Sequence, residues 1–334
     1  MGLNIREIVP RKEILVSDLR GKVIAVDAFN AIYQFLSSIR QYDGTPLMDK
    51  KGRITSHLSG LFYRNITLLG EGIRLVYVFD GKPPKMKFET NDLRRESKEI
   101  AKERYEEAKK KEDYDSMRKY SQQLSKIDES MIEESKELLE AMGISVIQAP
   151  SEGEAQASEL SKHKEVYAVA SQDYDCLLFG APRLIQNLTL ARKRKTVSGF
   201  IEINPELIEL ERVLNHLQIN YDQLITLGIL TGTDYNPGGV KGIGPKKALQ
   251  LVQKYKTPVE IFNQFKDIEF DWKEVFELFK KPDVDKHKEI KFPVVNYKRV
   301  KEILLEHDFS EERIDKQIEK LINYREKNKQ KTLF

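Results

Sequence analysis

The chain of 334 residues contains one cysteine, Cys176, which excludes an internal disulfide and a thiolate metal cluster and gives no argument for an oxidising compartment. No apolar run approaches the roughly 18–20 residues that a membrane-spanning helix needs, and the start carries no signal-peptide core. Met1-Gly-Leu-Asn-Ile-Arg6 also lacks the serine or threonine that a myristoylation signal places at position 6. The expectation is an intracellular protein with no membrane role. Histidine is scarce: His57, His163, His216, His287 and His307 form no close pair and no H-E-x-x-H, which disfavours zinc. An excess of one charge is missing too. A formal net charge of +3 says little about nucleic acid, because an acidic site and a basic surface cancel in the sum. Repeats and low-complexity tracts are absent, and 40% hydrophobic with 33% charged residues fits a soluble globular chain of one large or two modest domains.

What is present is acid at the ends of strand-like runs. Lys22-Val-Ile-Ala-Val-Asp27 reads as a buried strand followed by a helix over about 28–40, and Ile73-Arg-Leu-Val-Tyr-Val-Phe-Asp80 repeats the pattern after a helix over about 56–69. Glu152 and Glu154 open a helix just after the run 144–148, and Asp173 and Asp175 follow the run 166–170. Alternating strands and helices predict an α/β fold, a mostly parallel central sheet with helices on both faces. The carboxyl rim of such a sheet is where ligands bind, and residues two apart in extended chain point to one side, so these carboxylates are expected to share a crevice. Crowded like charges either take up protons or are neutralised by cations, and we favour a metal. A local reading competes. Ser151 to Glu154 fits the S-x-x-E capping box, and Asp173 is a fair cap for the next helix.

Residues 85–120 carry 12 Lys/Arg and 10 Asp/Glu with few apolar residues, which predicts a charged helical excursion. It is either a solvated, salt-bridged helix or, standing directly after Asp80, a cover over the site. A helix over about 129–142 with Gly143 as its stop returns the chain to the sheet. Short strand-like runs follow at 183–188 and 199–203. Beyond them the chain reads as almost all helix, with Asn204-Pro205 and Thr257-Pro258 each placing a capping residue before a first-turn proline. Asp234 precedes a glycine-rich hairpin, 238–248, that leads into a helix starting near Pro245. Pro245 and Lys247 break the Walker A and G-x-G-x-x-G patterns, so nucleotide binding is disfavoured. The N–H groups near Gly242 and Gly244, with Lys241, Lys246 and Lys247 beside them, suit a nucleic-acid phosphate, and a plain glycine-rich turn is the rival. An all-oxygen donor set suits Mg²⁺ or Mn²⁺, and with this many acids a two-metal site for phosphodiester hydrolysis becomes reasonable.

Asp27-Ala-Phe-Asn-Ala-Ile-Tyr33, Phe79-Asp-Gly-Lys-Pro-Pro84, Ala149-Pro-Ser-Glu-Gly-Glu-Ala155, Ser171-Gln-Asp-Tyr-Asp175 and Thr233-Asp-Tyr with Gly242-Ile-Gly-Pro-Lys246 occur in this order along nearly the whole chain. Together they resemble the signature blocks of the flap endonuclease 1 family in its compact archaeal form, a branch of the structure-specific 5′ nucleases. The resemblance implies that Asp27, Asp80, Glu152 and Glu154 bind one metal and that Asp173, Asp175 and Asp234 complete a second site. It implies that Lys87 and Arg94 are the basic pair of a gateway helix and that a nucleobase stacks on Tyr33. Gly2 matches the family's N-terminal residue near the active site, and Arg40 and Arg64 match residues near the template strand. The hairpin, with Lys246 and Lys247, matches the element that grips downstream duplex with a bound K⁺. Gln330, Leu333 and Phe334 match the beginning of the sliding-clamp-binding tail, whose aromatic pair is not reached here.

The expected activity is metal-dependent hydrolysis at 5′ flap and nicked DNA junctions, with 5′–3′ exonuclease activity, at DNA in the cytoplasm of an archaeal-type cell. The expected organisation is an α/β nuclease core over 1–215 including an arch over about 85–120, a helical DNA-binding region over 216–326, and a flexible tail over 327–334. Two other readings are weaker. A catalytically silent junction-binding scaffold would not need the full set of acids, and a phosphatase would want the D-x-D pair that Asp27-Ala-Phe lacks.

Overall fold

The computed structural model describes residues 3–111, 113–190, 193–196, 199–265 and 268–331, with backbone only at 85, 88–95, 118, 193–196, 199–201 and 325–331. The described strands are β1 (Lys12–Glu13), β2 (Val23–Asp27), β3 (Arg74–Phe79), β4 (Ser145–Gln148), β5 (Ala168–Ala170), β6 (Arg183–Gln186), β7 (Lys193–Thr196), β8 (Gly199–Glu202) and β9 (Glu206–Glu209). The first seven helices are α1 (Ala28–Ser38), α2 (Ser56–Gly70), α3 (Phe88–Lys110), α4 (Tyr114–Gln123), α5 (Glu129–Ala141), α6 (Gly153–Lys162) and α7 (Asp175–Leu178). The rest are α8 (Leu210–Leu217), α9 (Tyr221–Thr231), α10 (Pro245–Lys254), α11 (Pro258–Phe262), α12 (Trp272–Lys280), α13 (Tyr297–Leu305) and α14 (Glu311–Lys331).

Seven strands form one mixed sheet in the order β1-β9-β6-β5-β2-β3-β4, and β7 and β8 form a separate hairpin. The pairs β6–β5, β5–β2, β2–β3 and β3–β4 are parallel, and β9 joins antiparallel to β6 and β1. The chain runs outward from β2 to β3 and β4, then returns to β5 on the other side of β2. The order therefore switches between β2 and β5, and at such a point the connections leave a crevice above the carboxyl ends of the strands.

The strands read as continuous apolar runs because both faces of the sheet are covered. In β3, Val76 and Val78 face one core while Leu75, Tyr77 and Phe79 face the other, the alternation that the pleat imposes. The first core packs the sheet against α6, α7, α9 and α10, and the second packs it against α1, α2, α5, α13 and α14. A fully buried side chain of the Leu138 or Phe62 kind stabilises by about 1.5–3 kcal/mol relative to exposure, so the two faces hold the rim rigid.

Two local expectations are corrected, the helix at Asn204-Pro205 and the end of the strand run at 183–188. No helix starts at Asn204-Pro205: residues 206–209 are β9, and the helix begins at Leu210. Ile208 is fully buried against the sheet, and the Ile14 N–H donates to the Pro205 carbonyl at 2.9 Å, so strand pairing outweighs the local capping signal. At the other end α14 continues through Lys331, so residues 327–331 of the expected flexible tail are helical. The strand run expected over 183–188 stops at Gln186, where Asn187 turns to a φ of 64°. Gly143, with a φ of 75°, follows α5 as its expected stop.

Candidate metal centre

Each strand near the switch point delivers its acid to the same rim. Asp27 ends β2, Asp80 follows β3, Glu152 and Glu154 follow β4, and Asp173 and Asp175 follow β5. Asp234 arrives from the turn after α9. Asp27 also caps α1, its Oδ1 accepting from the Asn30 N–H at 3.1 Å.

The capping-box reading of Ser151 and Glu154 does not hold. Ser151 Oγ donates to the Lys82 carbonyl at 3.1 Å, and the N-cap of α6 is Glu152, whose side chain makes no capping bond. Asp173 does receive the Asp175 N–H at 3.1 Å, a local turn bond before the short α7. The extended-chain argument for Glu152 and Glu154 does not apply, because α6 begins at Gly153 and the segment is not extended. Glu152 turns to Lys87, with Nζ and Oε2 2.6 Å apart. The ligand oxygen of Glu154 lies within 4.8 Å of those of Asp173 and Asp175. Glu154 thus groups by distance with the acids after β5 rather than with Glu152. Gly153 between them is required by close approach: its N–H donates to Asp80 Oδ1 at 2.7 Å, and a Cβ there would lie 2.7 Å from the same oxygen.

Burial is the first cause of the electrostatics. It raises Asp27, Glu152, Glu154 and Asp175 above the ordinary carboxylate range, and Glu154 and Asp175 well above it. Asp80 and Asp173 are pushed up to about 6, by burial first and by the neighbouring carboxylates Asp27 and Asp234. Lys87 is the exception. Burial works against its ammonium, but Glu152, Asp80 and Asp234 outweigh it and keep the group protonated. Its Nζ lies 4.0 Å from Asp234 Oδ2.

The donor set fits a hard divalent cation. Every ligating atom in the cluster is a carboxylate oxygen, and two buried ones, Glu152 Oε1 and Asp175 Oδ1, have no hydrogen-bond partner. Buried polar atoms without partners are costly unless a cation or water meets them.

The other singled-out residues divide. Tyr33 projects from α1, 41% exposed. Arg40 donates from Nη1 to the Gly44 carbonyl at 2.7 Å and from Nη2 to Ser125 Oγ, and Arg64 donates to the Thr189 carbonyl at 3.1 Å. Gly242 has a φ of 79°, and Gly244 is the N-cap of α10 with Pro245 in its first turn. Lys247 folds back onto the Gly242 carbonyl at 3.1 Å, while Lys246 stays 75% exposed beside Glu7. Gly2, Leu333 and Phe334 lie outside the described residues, as do the side chains of Arg94 and Gln330.

Sequence reasoning missed Ser171 and Asn30. The Ser171 hydroxyl lies 2.9 Å from Glu154 Oε1 and 3.2 Å from Asp27 Oδ2 and accepts the Asp173 N–H at 3.1 Å. Asn30 Oδ1 accepts the Gln172 N–H at 3.3 Å. A serine two residues before an aspartate, a familiar side-chain turn, was the available signal.

The chain also matches two family models, the XPG N-terminal domain over residues 4–101 and the XPG I-region over 143–234. Fold and site therefore define an XPG-type α/β nuclease. The chain is 52% identical to flap endonuclease 1 of Pyrococcus abyssi over 336 aligned residues, covering 100% of this chain and 97% of that protein. It matches the solved flap endonuclease-1 of Methanococcus jannaschii with a TM-score of 0.77 at 43% identity, over 97% of this chain and 98% of that one. The chain belongs to the flap endonuclease 1 family. The catalytic core of Rad2 in complex with a DNA substrate shares the fold, with a TM-score of 0.72 at 24% identity over 96% of this chain and 100% of that one.

Proposed function

We propose that the chain is a structure-specific 5′ flap endonuclease that hydrolyses phosphodiester bonds at 5′ flap and nicked DNA junctions in replication and repair, with 5′–3′ exonuclease activity. The observation that carries this reading is the convergence of Asp27, Asp80, Glu152, Glu154, Asp173, Asp175 and Asp234 on one rim with a protonated lysine among them. The carboxylates hold a pair of Mg²⁺ ions, for which Mn²⁺ substitutes. When bound, the cations activate water and neutralise charge on the phosphate. The protein does the rest. Lys87 offers an ammonium from Lys85–Lys87, just before α3, to a phosphate oxygen at the rim, and Arg94, in the sequence of α3, is the second member of that basic pair. Tyr33, about 9 Å along α1 from Asp27, offers its exposed ring for base stacking.

Farther out, the hairpin before α10 holds duplex phosphate through the N–H groups at the helix start, with Lys246 and Lys247 beside it and K⁺ at the turn. Gly2, Arg40 and Arg64 lie along the DNA path. Gln330, Leu333 and Phe334 contact a sliding clamp.

The test is end-labelled flap, nicked and single-stranded DNA incubated with the protein in Mg²⁺ and in EDTA, with Asp175→Asn alongside. Cleavage is expected at flap and nick, abolished by EDTA and by Asp175→Asn while flap binding persists. Binding without cleavage by the wild-type protein in Mg²⁺ would leave a junction-binding scaffold.

A further inference from the structure

Two of the parts of the chain that bring carboxylates to the cation centre touch through neutral side chains. Asp27 ends β2 and caps α1, while Asp173 lies on the loop after β5 and Asp175 opens α7. Two hydrogen bonds join the two parts directly, Ser171 to Asp27 and Gln172 to Asn30, and two more tie Ser171 to Glu154 and to its own loop. The Ser171 hydroxyl lies between Asp27 Oδ2 and Glu154 Oε1, its lone pair receives the Asp173 N–H, and Asn30 Oδ1 receives the Gln172 N–H. Asn30 is tied at its backbone as well, since its own N–H donates to Asp27 Oδ1. Ser171 is 4% exposed, so no bulk water competes for these bonds.

A hydroxyl carries one proton and two lone pairs. At Ser171 the proton faces two carboxylate oxygens and goes mainly to the nearer, on Glu154. Asp27 and Glu154 are thereby kept in register by a group that adds no charge to the crowd. A carboxylate held by a fixed donor presents its remaining oxygens in a defined direction, which is what a cation needs.

We propose that Ser171 and Asn30 are positioning residues of the cation centre: the serine hydroxyl aligns Asp27 with Glu154, and the asparagine carbonyl holds the 171–173 loop so that Asp173 stands opposite them. The proposal rests on the reading of these carboxylates as a divalent-cation centre. Neither residue is a ligand, and neither touches the reacting atoms.

The test titrates the full chain and its Ser171→Ala, Ser171→Thr and Asn30→Ala variants with MnCl₂ by calorimetry, and compares thermal midpoints in EDTA and in MgCl₂. Ser171→Ala is expected to bind Mn²⁺ about 10- to 100-fold more weakly, with Asn30→Ala shifted the same way. Ser171→Thr, which keeps the hydroxyl, is expected to stay close to wild type. The Mg²⁺ concentration for half-maximal flap cleavage should rise by the same factor as the Mn²⁺ dissociation constant. A serine that merely supports the fold would lower the midpoint in EDTA and leave the cation-induced rise intact. That result, or equal Mn²⁺ affinity in Ser171→Ala and wild type, overturns the proposal while leaving the centre standing. If Ser171→Ala loses its helical circular dichroism, unchanged affinity in Asn30→Ala overturns it instead. A wild-type chain that binds no Mn²⁺ would overturn the centre itself.

Discussion

Among single residues, Lys87 departs furthest from what its sequence neighbourhood implies. It lies in a run of mixed charge, where most lysines are solvated and worth well under about 1 kcal/mol. Yet its side chain is 15% exposed and its ammonium lies 2.6 Å from Glu152. An ammonium so placed faces whatever anion enters the rim. Lys87→Ala, and Arg94→Ala on the resemblance alone, are expected to cut the single-turnover rate by roughly 10²-fold, about 2.7 kcal/mol of barrier, with little change in affinity. Lys110→Ala is the control, at the far end of α3. Single-turnover cleavage measured beside thermal midpoints decides: near-wild-type rates in all three would return the segment to a solvated helix. Six of the seven acids were legible as individual residues because they end or closely follow an apolar strand-like run. The split between Glu152 and Glu154 was not legible, because it depends on α6 starting at the glycine between them.

Among the elements, the turn between α9 and α10 combines a positive φ at Gly242 with a helix whose first residue is Pro245. Such a helix start leaves N–H groups free for an anion, and the lysines beside it add charge. They are not equivalent. Lys247 closes the turn by donating to the Gly242 carbonyl, whereas Lys246 projects outward. Replacing both with alanine should weaken duplex binding uniformly across sequences and lower the slope of log affinity against log salt by about 1 to 2 units. An unchanged slope across a titration from low to moderate salt would make them ordinary surface charge. The glycine spacing was enough to predict a tight turn before a helix. Pairing of 206–209 as β9 was not predictable, because the Asn-Pro signal is local and the partner strand β6 is supplied by the fold.

Across the whole molecule, a half-buried carboxylate joins helices far apart in the chain through two polar contacts. Glu134 on α5 meets His57 Nε2 at 3.1 Å, from the first turn of α2, and His307 Nε2 at 3.2 Å, just beyond α13. His307 Nδ1 in turn lies 2.9 Å from the Ile303 carbonyl. Glu134→Ala would leave two buried imidazoles without their partner, and a loss of about 1–3 kcal/mol of stability is expected. The pH dependence has a definite sign. Burial pushes the Glu134 carboxyl up, but the hydrogen bonds from the two histidines outweigh it and hold it below its ordinary value. A depressed carboxyl stabilises the fold above its unfolded value, about 4.3, and loses that contribution as pH falls through its folded value. The gap in thermal midpoint between wild type and Glu134→Ala should therefore be widest near neutrality and narrow below about pH 4. A gap that stays constant over that range would show that the carboxylate charge contributes nothing.

The amino-acid order by itself determined the alternation of strand and helix, the acids at strand ends and the glycine turn before α10, since each rests on periodicity or backbone chemistry within a few residues. The ordered motif blocks carried the family in the same way, each being a short local string. Tertiary structure alone decided the rest. The return of the chain from β4 to β5 beside β2 turns separate acids into one rim, where burial raises their proton affinity and the carboxylates around Lys87 keep it charged against that burial. The contacts of Ser171, Asn30, His57 and Glu134 lie in that second category. A polar side chain's partner comes from a distant part of the chain, and no local pattern encodes which oxygen or nitrogen the fold will bring within 3 Å of it.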